Sequence, residues 1–444
     1  MVFCLSNKQQ TSFLLGSINA QKEKQIPLRV ILILTNSVLE GINNKNNILE
    51  EGSLFMKRLL VIMLALFVVL AGTMVFAQEP IKIGIVMNLT GPWASIDNPS
   101  ANGAKLAAEQ INKAGGVLGR QIDLKVIDTK ADEGETSAAV VRLVENEKVS
   151  ALIGYGDTHW VNIAASMAKE YGVPFMTPGA THPRIPERFG AWLACFGDNA
   201  QASAIAEYAV KDLGLKRGVV WVDTAVDFSV AVCAFFADAL KHYGGEVVYE
   251  DYFEVTWKDF SAMSARLKEY QDRGEVDFVY VGAIPDNCGL IAKQLRDNGV
   301  TIPMYGEDGF DTPLLVETGG EAAEGVIFAT HVSLEDPSPI MQQFKADYQA
   351  MYGTPPENAF AALGYDAVKL MAKAIELVGS DAPEKIPEGL AQIKDFQGVS
   401  GTISYEGGSQ IPNKSVSVIE VKDGKFVTVK QIAPEYLSDP TIAK

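Results

Sequence analysis

Short apolar runs alternate with helical patterns along the chain from residue 78 onward. The apolar runs have the composition of buried β-strands, and they lie at 81–87, 122–128, 151–154, 173–176, 218–222, 247–253, 278–281 and 325–330. Patterns typical of helices separate them, at 101–114, 136–147, 162–171, 200–213, 228–243, 260–273 and 289–298. Near-continuous apolar strands that alternate with helices predict an α/β protein with parallel sheets covered by helices on both faces.

The alternation begins again near residue 198, which predicts two lobes, each a doubly wound α/β unit. Two more helical patterns and a hairpin-like ending follow, at 339–352, 359–378, 399–405 and 415–421. We expect lobe 1 to comprise 78–197 and 330–400, and lobe 2 to comprise 198–329 and 401–444. Ligands of such folds bind beyond the carboxyl ends of the strands, so we expect a ligand cleft between the lobes.

The first 77 residues do not fit this pattern. Residues 56–58 are a basic start, and nineteen uncharged residues follow them up to Ala77. We interpret residues 56–77 as a cleaved signal peptide, which predicts an exported, periplasmic protein without a stable membrane anchor. The rival interpretation is an uncleaved anchor, since such a run just spans ~30 Å of hydrocarbon. Residues 1–55 precede this signal, and we hypothesise that they are an untranslated leader misread as protein.

Charge excludes one class of partner. The 444 residues include 55 acidic and 38 basic side chains, a net charge of −17, and they contain no run of Lys or Arg. Such a chain repels polyphosphate, so nucleic acid is not expected as a partner.

The residues that usually carry chemistry are few and scattered. The four histidines have no paired spacing, and the four cysteines form no CxxC motif, so neither a metal site nor another cofactor is predicted. We interpret Cys195, Cys233 and Cys288 as small buried residues, although two of them could pair. No GxSxG, GxGxxG or P-loop motif occurs, so the chain is not expected to be an enzyme.

Sequence motifs of a known family follow one another in the same order along residues 80–410. They lie at 83–93, 103–116, 119–120, 128, 149–154, 174–181, 258–260, 277–282, 364–366 and 398–401. In these motifs the chain resembles the periplasmic solute-binding proteins of ABC transporters for branched-chain amino acids. The resemblance implies the type I periplasmic-binding fold, capture of an amino acid by closure of two lobes, and delivery to the permease subunits of a membrane transporter.

The cleft of such a protein must bind the carboxylate of an amino acid. Hydroxyls and N–H groups at a helix N-terminus bind carboxylates well. Thr158 lies between a strand end and a helix, and by resemblance it is the hydroxyl that contacts the ligand carboxylate. The resemblance places Thr181, with the backbone of Gly179 and Ala180, at the amino-acid head as well. Alternatively, Thr158 only caps its helix and Thr181 only closes a turn.

The ammonium group of an amino acid requires an acidic partner. By resemblance Asp308 takes this role, in a position where the family usually has Glu. Asp227 is a candidate for a second acidic contact. The alternative for both is a solvated Asp in a loop.

Apolar and aromatic side chains are expected to line the rest of the pocket. Trp93 and Phe360 would cover the apolar end of the ligand. The remaining candidates are Tyr155, His159, Trp160 and Ile284.

Some positions depart from the family pattern and leave the ligand open. His159 and Trp160 replace part of a serine run, and Asp227 and Ile284 replace aromatic residues. An aliphatic, branched-chain amino acid is the expected ligand, and a short or aromatic carboxylate, an amide, or a ligand-sensing role is the alternative. We expect the lobes to swing about hinges near Gly197, Thr330 and Ser400.

Overall fold

The structure is a computed structural model that describes residues 59, 60, 63 and 79–443. Residues 78–444 form a compact unit of their own. The predicted leader at 1–55 and nearly all of the predicted signal peptide at 56–77 lie outside the described residues. Among the described helices, none combines the length and apolar character that crossing a bilayer requires.

The sheet of lobe 1 has five parallel strands in the order β2-β1-β3-β4-β5. Its strands are β1 (Ile81–Met87), β2 (Ile122–Asp128), β3 (Ala151–Gly154), β4 (Phe175–Thr177) and β5 (Trp192–Leu193). Side chains alternate between its two faces. Ile83 and Ile85 of β1 pack in one buried cluster, whereas Val86 packs in another on the opposite face. The predicted parallel sheet with two covered faces is therefore confirmed for lobe 1.

The sheet of lobe 2 has seven strands in the order β14-β13-β10-β9-β8-β6-β7, and only β13 and β14 run antiparallel to their neighbours. Its strands are β6 (Arg217–Asp223), β7 (Glu246–Phe253), β8 (Phe278–Gly282), β9 (Met304–Gly306), β10 (Ile327–Thr330), β13 (Val416–Lys422) and β14 (Lys425–Ile432). A separate hairpin pairs β11 (Phe396–Gly398) with β12 (Gly401–Ile403).

The α-helices cover the faces of these sheets. They are α1 (Ala94–Lys113), α2 (Glu133–Val141), α3 (Thr158–Glu170), α4 (Ile185–Phe189), α5 (Asp198–Glu207), α6 (Asp227–His242), α7 (Ser261–Asp272), α8 (Pro285–Asp297), α9 (Pro313–Gly319), α10 (Pro339–Tyr352), α11 (Ala359–Val378) and α12 (Ile386–Leu390). Helices α1 and α11 cross with their backbones in contact. A Cβ added at Gly103 would lie 1.9 Å from the carbonyl oxygen of Ala361, so no larger residue fits there.

The chain passes between the lobes three times, and the third passage differs from the prediction. Ile403 and Tyr405 still pack in the core of lobe 1, and the Tyr405 hydroxyl donates to the carbonyl of Leu193 at 2.8 Å. Val416 is the next residue that packs in the core of lobe 2. The boundary predicted at 400/401 therefore lies between 405 and 416, because β12 pairs with β11 and keeps the chain in lobe 1.

A buried ionic network holds this third passage. Lys414 Nζ donates to the carbonyl of Ala194 at 3.2 Å and to Ser400 Oγ at 2.7 Å. Ser400 Oγ donates in turn to Asp366 Oδ2 at 2.6 Å, and Asp366 accepts the backbone N–H groups of Val399 and Ser400 at 2.9 and 2.7 Å. Ser400 is thus a fixed point in lobe 1 and does not lie at the passage itself.

Candidate ligand-binding site

A cavity of about 260 Å³ lies between the two lobes. Lobe 1 lines it with Pro92, Trp93, Ala131, Asp157, His159 and Trp160, and lobe 2 lines it with Ala225, Val226, Val255 and Ile284. Every one of these residues follows the carboxyl end of a strand, which is where ligands of α/β sheets bind. The predicted candidates Trp93, His159, Trp160 and Ile284 line this cavity.

Trp93 is held by a tightly hydrogen-bonded loop after β1. Asp128 accepts the N–H groups of Leu89 and Thr90 and the Thr90 hydroxyl, at 2.9, 3.3 and 2.7 Å. Trp93 itself has a φ of 75°, the left-handed region that few side chains adopt. Its ring packs against the hydrophobic clusters of both lobes.

Asp157, and not Thr158, caps the N-terminus of α3. Its Oδ1 accepts the N–H of His159 at 3.0 Å, and its backbone is extended as in other N-caps. Thr158 is then the first helical residue, and its buried Oγ1 has no hydrogen-bond partner among the described residues. Asp157 Oδ2 is likewise buried and unpartnered, and burial raises the pKa of Asp157 to about 7.

Asp97 fixes the loop that carries Asp157. Its carboxylate accepts the N–H of Gly156 at 2.9 Å and the N–H of Asn88 at 2.8 Å. Two ligand-side loops, after β1 and after β3, therefore share one buried anchor. Burial raises the pKa of Asp97 to about 7.

Tyr155 does not line the cleft, contrary to the prediction from its position. It is fully buried, and its hydroxyl hydrogen-bonds Thr129 and Thr136 at 3.1 Å each, inside lobe 1. The backbone of Tyr155 has a φ of 59°, in the left-handed region, and its ring lies 6.3 Å from that of Trp160. His159 pairs instead with Glu133 at 3.1 Å on the rim of the cavity.

Trp160 lies deeper than His159. It is 7% exposed, its ring meets that of His159 edge to face at 4.9 Å, and its Nε1 has no acceptor among the described residues. Burying an indole N–H without an acceptor costs free energy, so this atom is suited to contact a ligand.

The loop after β4 is held from within. Thr177 Oγ1 accepts the N–H groups of Gly179 and Ala180 at 3.2 and 2.8 Å. Phe360 packs beneath this loop: a Cβ added at Gly179 would lie 2.6 Å from the Phe360 ring. Phe360 is 1% exposed and thus supports the loop from the core, and it does not line the cavity. Thr181 is buried, and its carbonyl accepts the N–H of Asp198 at 2.7 Å.

Asp198 and Asp308 form a buried acidic pair at the junction of the lobes. Gln201 Nε2 donates to Asp198 Oδ1 at 3.0 Å and to Asp308 Oδ1 at 2.8 Å, and Gln201 Oε1 accepts the N–H of Asp308 at 2.9 Å. His331 Nε2 donates to Asp308 Oδ2 at 2.9 Å. Burial lowers the pKa of His331, so the pair is held by a hydrogen bond from a neutral imidazole.

The second carboxylate oxygen of Asp198 lacks a well-formed hydrogen bond among the described residues, although the nearby Thr181 hydroxyl acts to lower the pKa of this carboxyl. Asp198 is fully buried, and its Oδ2 accepts no hydrogen bond from the described residues. Burial, together with nearby Asp308 and Asp157, raises the pKa of Asp198 to about 8. A cationic ligand group beside Asp198 would favour the ionised form of this carboxyl and lower its pKa.

Asp227 lies at the mouth of the cleft. It is exposed, it begins α6 in lobe 2, and its Oδ2 accepts a 3.4 Å hydrogen bond from Asn162 Nδ2 of lobe 1. A second hydrogen bond between the lobes is buried: Asp311 Oδ2 of lobe 2 accepts the N–H of Ala359, the first residue of α11, at 3.1 Å.

Sequence reasoning did not single out Asp157, Asp198, Gln201 or His331. Asp157 could have been found, because it directly precedes Thr158 and Asp is as favoured at an N-cap as Thr. Asp198 and Asp308 are 110 positions apart, and no spacing rule connects them.

The described cysteines are structural, and Cys195 supports the loop after β4, where its Sγ donates to the carbonyl of Ala180 at 3.4 Å. Cys195, Cys233 and Cys288 are free and buried, as predicted, and burial raises the pKa of each thiol. Within the described residues, no three His, Cys, Asp or Glu side chains are grouped so as to hold a metal ion.

Comparisons with known proteins agree with this architecture. The profile of a protein family described as periplasmic binding protein matches residues 80–425. A Leu/Ile/Val-binding protein of Rhizobium johnstonii is 29% identical over 357 residues, which cover 80% of this chain and 95% of that protein. A leucine-, isoleucine-, valine-, threonine- and alanine-binding protein of Pseudomonas aeruginosa is 28% identical over 360 residues, with 80% and 93% covered.

Solved structures give the same result. A leucine-binding protein of Thermotoga maritima is 34% identical and superimposes with a TM-score of 0.74, covering 80% of this chain and 99% of that one. The substrate-binding protein of a branched-chain amino acid transporter from Streptococcus pneumoniae, in complex with isoleucine, is 29% identical with a TM-score of 0.73 and the same coverage.

Proposed function

The chain belongs to the periplasmic binding protein family, and from this premise we propose that it captures an aliphatic amino acid, branched-chain or similar, for an ABC importer. The family binds solutes and does not convert them. As a substrate-binding protein of an ABC transporter, the chain is expected to act outside the cytoplasm, in the periplasm, and to deliver its ligand to permease subunits.

The unpartnered carboxylate oxygen of Asp198 is the observation that carries this proposal. Its neighbour Asp308 keeps both oxygens hydrogen-bonded, to Gln201 and His331, and is thereby oriented. We assign the ammonium of the ligand to this pair, with Asp198 as the oxygen that lacks a partner and Asp308 as its fixed neighbour. Buried charges in proteins are paired, so a site that leaves a buried acid unpaired favours a cation.

The wall from lobe 2 suits an aliphatic side chain. Ala225, Val226, Val255 and Ile284 present only small apolar side chains to the cavity. Each buried methylene of a ligand contributes about 0.8 kcal/mol, so this wall favours branched-chain residues over small polar ones.

Closure follows from the division of these contacts between the lobes. Trp93 and Trp160 belong to lobe 1, Val226 and Ile284 belong to lobe 2, and Asp198 lies where the chain passes between them. Only a ligand that contacts both walls favours the arrangement in which they meet. The Asp311–Ala359 hydrogen bond then adds a buried contact between the lobes in the same arrangement.

A thermal-shift screen of residues 78–444, unfolded and refolded to remove bound ligand, tests the proposal. The panel contains the twenty amino acids, their amides, and aliphatic and aromatic carboxylates without an amine. A ligand that binds the native state raises the Tm by mass action. We expect shifts with valine, leucine and isoleucine, and none with carboxylates that lack an amine.

Variants of the acidic pair identify the ammonium site. Asp198→Asn and Asp308→Ala are each expected to abolish the shift with isoleucine, whereas Asp272→Asn on the exposed face of α7 keeps it. A shift confined to carboxylates without an amine would contradict the ligand class. Full binding by both pair variants would contradict the ammonium assignment.

A further inference from the structure

Three buried polar atoms at the start of α3 lack hydrogen-bond partners among the described residues: Asp157 Oδ2, Thr158 Oγ1 and Trp160 Nε1. Asp157 and Trp160 line the cavity, and both are at least 93% buried. When Asp157 is ionised its Oδ2 only accepts, whereas Trp160 Nε1 only donates and the Thr158 hydroxyl does either. Leaving such atoms unpaired costs free energy. The donors and acceptors among them therefore indicate which ligand group could hydrogen-bond to them.

A free carboxylate does not fit this combination. Asp157 Oδ1 already accepts the N–H of His159, so the carboxylate of the protein itself occupies the anion-binding position at this helix N-terminus. Of the described residues that line the cavity, none is Lys or Arg. The ring of His159 is engaged by Glu133 at 3.1 Å on the rim. Beside the ionised form of Asp157, a ligand carboxylate would therefore have no counter-charge.

A carboxamide fits it. The NH₂ group of an amide would donate to Asp157 Oδ2, and its carbonyl oxygen would accept from Trp160 Nε1 or from the hydroxyl of Thr158. A lone ammonium would satisfy Asp157 and leave the Trp160 N–H unpaired. Sites built to hydrogen-bond a particular group reject analogues that lack it, because the buried atoms of the protein are then left without partners.

We propose that the ligand meets the start of α3 with a carboxamide, and that the preferred substrates are amides of aliphatic amino acids, or similar small amides, over the free acids. This inference rests on the proposed function for lobe closure and for the ammonium site at Asp198. It changes only the second polar group on the α-carbon of the ligand, from a carboxylate to a carboxamide. Asp157 is then the residue that determines specificity between amide and acid.

Matched ligand pairs measure this preference directly. Residues 78–444, stripped of ligand by unfolding and refolding, are titrated by calorimetry at pH 7 with isoleucine and isoleucinamide, and with valine and valinamide. We expect each amide to bind at least tenfold more tightly than its acid.

Asp157→Asn is the decisive variant, because Asn also caps helices and its amide can donate to a carboxylate. It is expected to remove or reverse the preference for the amide. Asp132→Asn is the matched control, since Asp132 caps α2 in the same way, accepting the N–H of Glu135 at 2.8 Å on an exposed surface. Trp160→Phe removes the donor alone and is expected to weaken isoleucinamide binding about threefold to tenfold.

The outcomes separate this inference from the function on which it rests. If wild-type protein binds isoleucine as tightly as isoleucinamide, or if Asp157→Asn leaves their ratio unchanged, the amide assignment is wrong while amino-acid capture stands. Should Asp157→Asn fail to fold, the wild-type ratio and the Trp160→Phe variant decide. If neither the acids nor the amides bind, the proposed function fails together with the inference.

Discussion

Two buried acids of this protein are treated in opposite ways. Asp366, beside the third passage between the lobes, accepts hydrogen bonds from two backbone N–H groups and from Ser400 Oγ. Lys414 Nζ donates a hydrogen bond to the same Ser400 hydroxyl. Asp198, at the junction of the lobes, shares one amide of Gln201 with Asp308, and its Oδ2 accepts no hydrogen bond from the described residues. Both side chains are fully buried.

Under the proposed function, the difference separates a structural acid from one that binds the ligand. A carboxylate whose lone pairs are satisfied inside the protein holds its surroundings in place and needs nothing further. A carboxylate that is buried and incompletely satisfied costs stability, and this cost is offset when a ligand supplies the missing charge.

Breaking the satisfied cluster is expected to have the largest effect. Lys414→Met leaves Asp366 buried without a nearby cation, which is expected to lower the free energy of unfolding by about 3–5 kcal/mol at pH 7. Burial lowers the pKa of Lys414 to about 8, so the lysine is charged at that pH. Urea unfolding measures the change. Lys430→Met, which removes an exposed pair with Asp212 at 2.7 Å, is the control. Equal losses in the two variants would refute the structural role of Lys414.

Neutralising the unsatisfied acid is expected to stabilise the ligand-free protein. Burial raises the pKa of Asp198 to about 8, against an ordinary value of 3.8. The folded state therefore holds a proton that the unfolded state has lost between these values, and the contribution of this group to stability falls as pH rises from about 4 to about 8. Asn does not ionise, so Asp198→Asn avoids this pH-dependent decrease in stability. We expect its free energy of unfolding to exceed that of wild type by about 2 kcal/mol at pH 8 and by less at pH 5.

Urea unfolding of wild type and Asp198→Asn at both pH values tests this expectation. Asp97 and Asp157 also have raised pKa values, but they remain in both proteins and largely cancel in the difference. A stability difference that is the same at pH 5 and pH 8, or a variant less stable than wild type at pH 8, would contradict the assignment of Asp198 as an unsatisfied acid.

The exposed contact at the mouth of the cleft is expected to matter least. The hydrogen bond from Asn162 to Asp227 is 3.4 Å long, at the weak end of the range, and Asp227 is exposed to solvent. Asn162→Ala is therefore expected to change isoleucine or isoleucinamide affinity by no more than about threefold, equivalent to ~0.7 kcal/mol. A tenfold loss in a titration would show that the mouth contributes more to closure than the buried contacts.

The sequence predicts the fold well where apolar runs are long. The run at 81–87 is β1 residue for residue, and the helical pattern at 359–378 is α11. The sequence does not predict the short strands β5 and β9, which have two and three residues. A run of that length is too short to show an alternating pattern. The end of lobe 1 was placed too early, because the hairpin of β11 and β12 resembles the start of the antiparallel strands of lobe 2.

The sequence predicts which loops line the site, but it does not predict the hydrogen bonds of individual side chains. Trp93 is predicted from the family resemblance and Trp160 from its place in sequence near Thr158, and both line the cavity. Tyr155 follows a strand as well, yet its hydroxyl hydrogen-bonds Thr129 inside lobe 1, a contact that spacing cannot reveal. Whether Asp157 or Thr158 caps α3 depends on the residue at which the helix begins. The side chain that does not cap the helix keeps its oxygen available to a ligand.

The close backbone packing around α11 divides the protein into positions that tolerate substitution and positions that do not. Gly103 has no room for a Cβ against Ala361, and a Cβ at Gly179 would strike the ring of Phe360, the second residue of the same helix. Change at these glycines would displace the scaffold of lobe 1. New ligand preferences in descendants of this sequence must therefore arise at the side chains that face the cavity, such as Asp157 and Ile284, while the helix beneath them stays as it is.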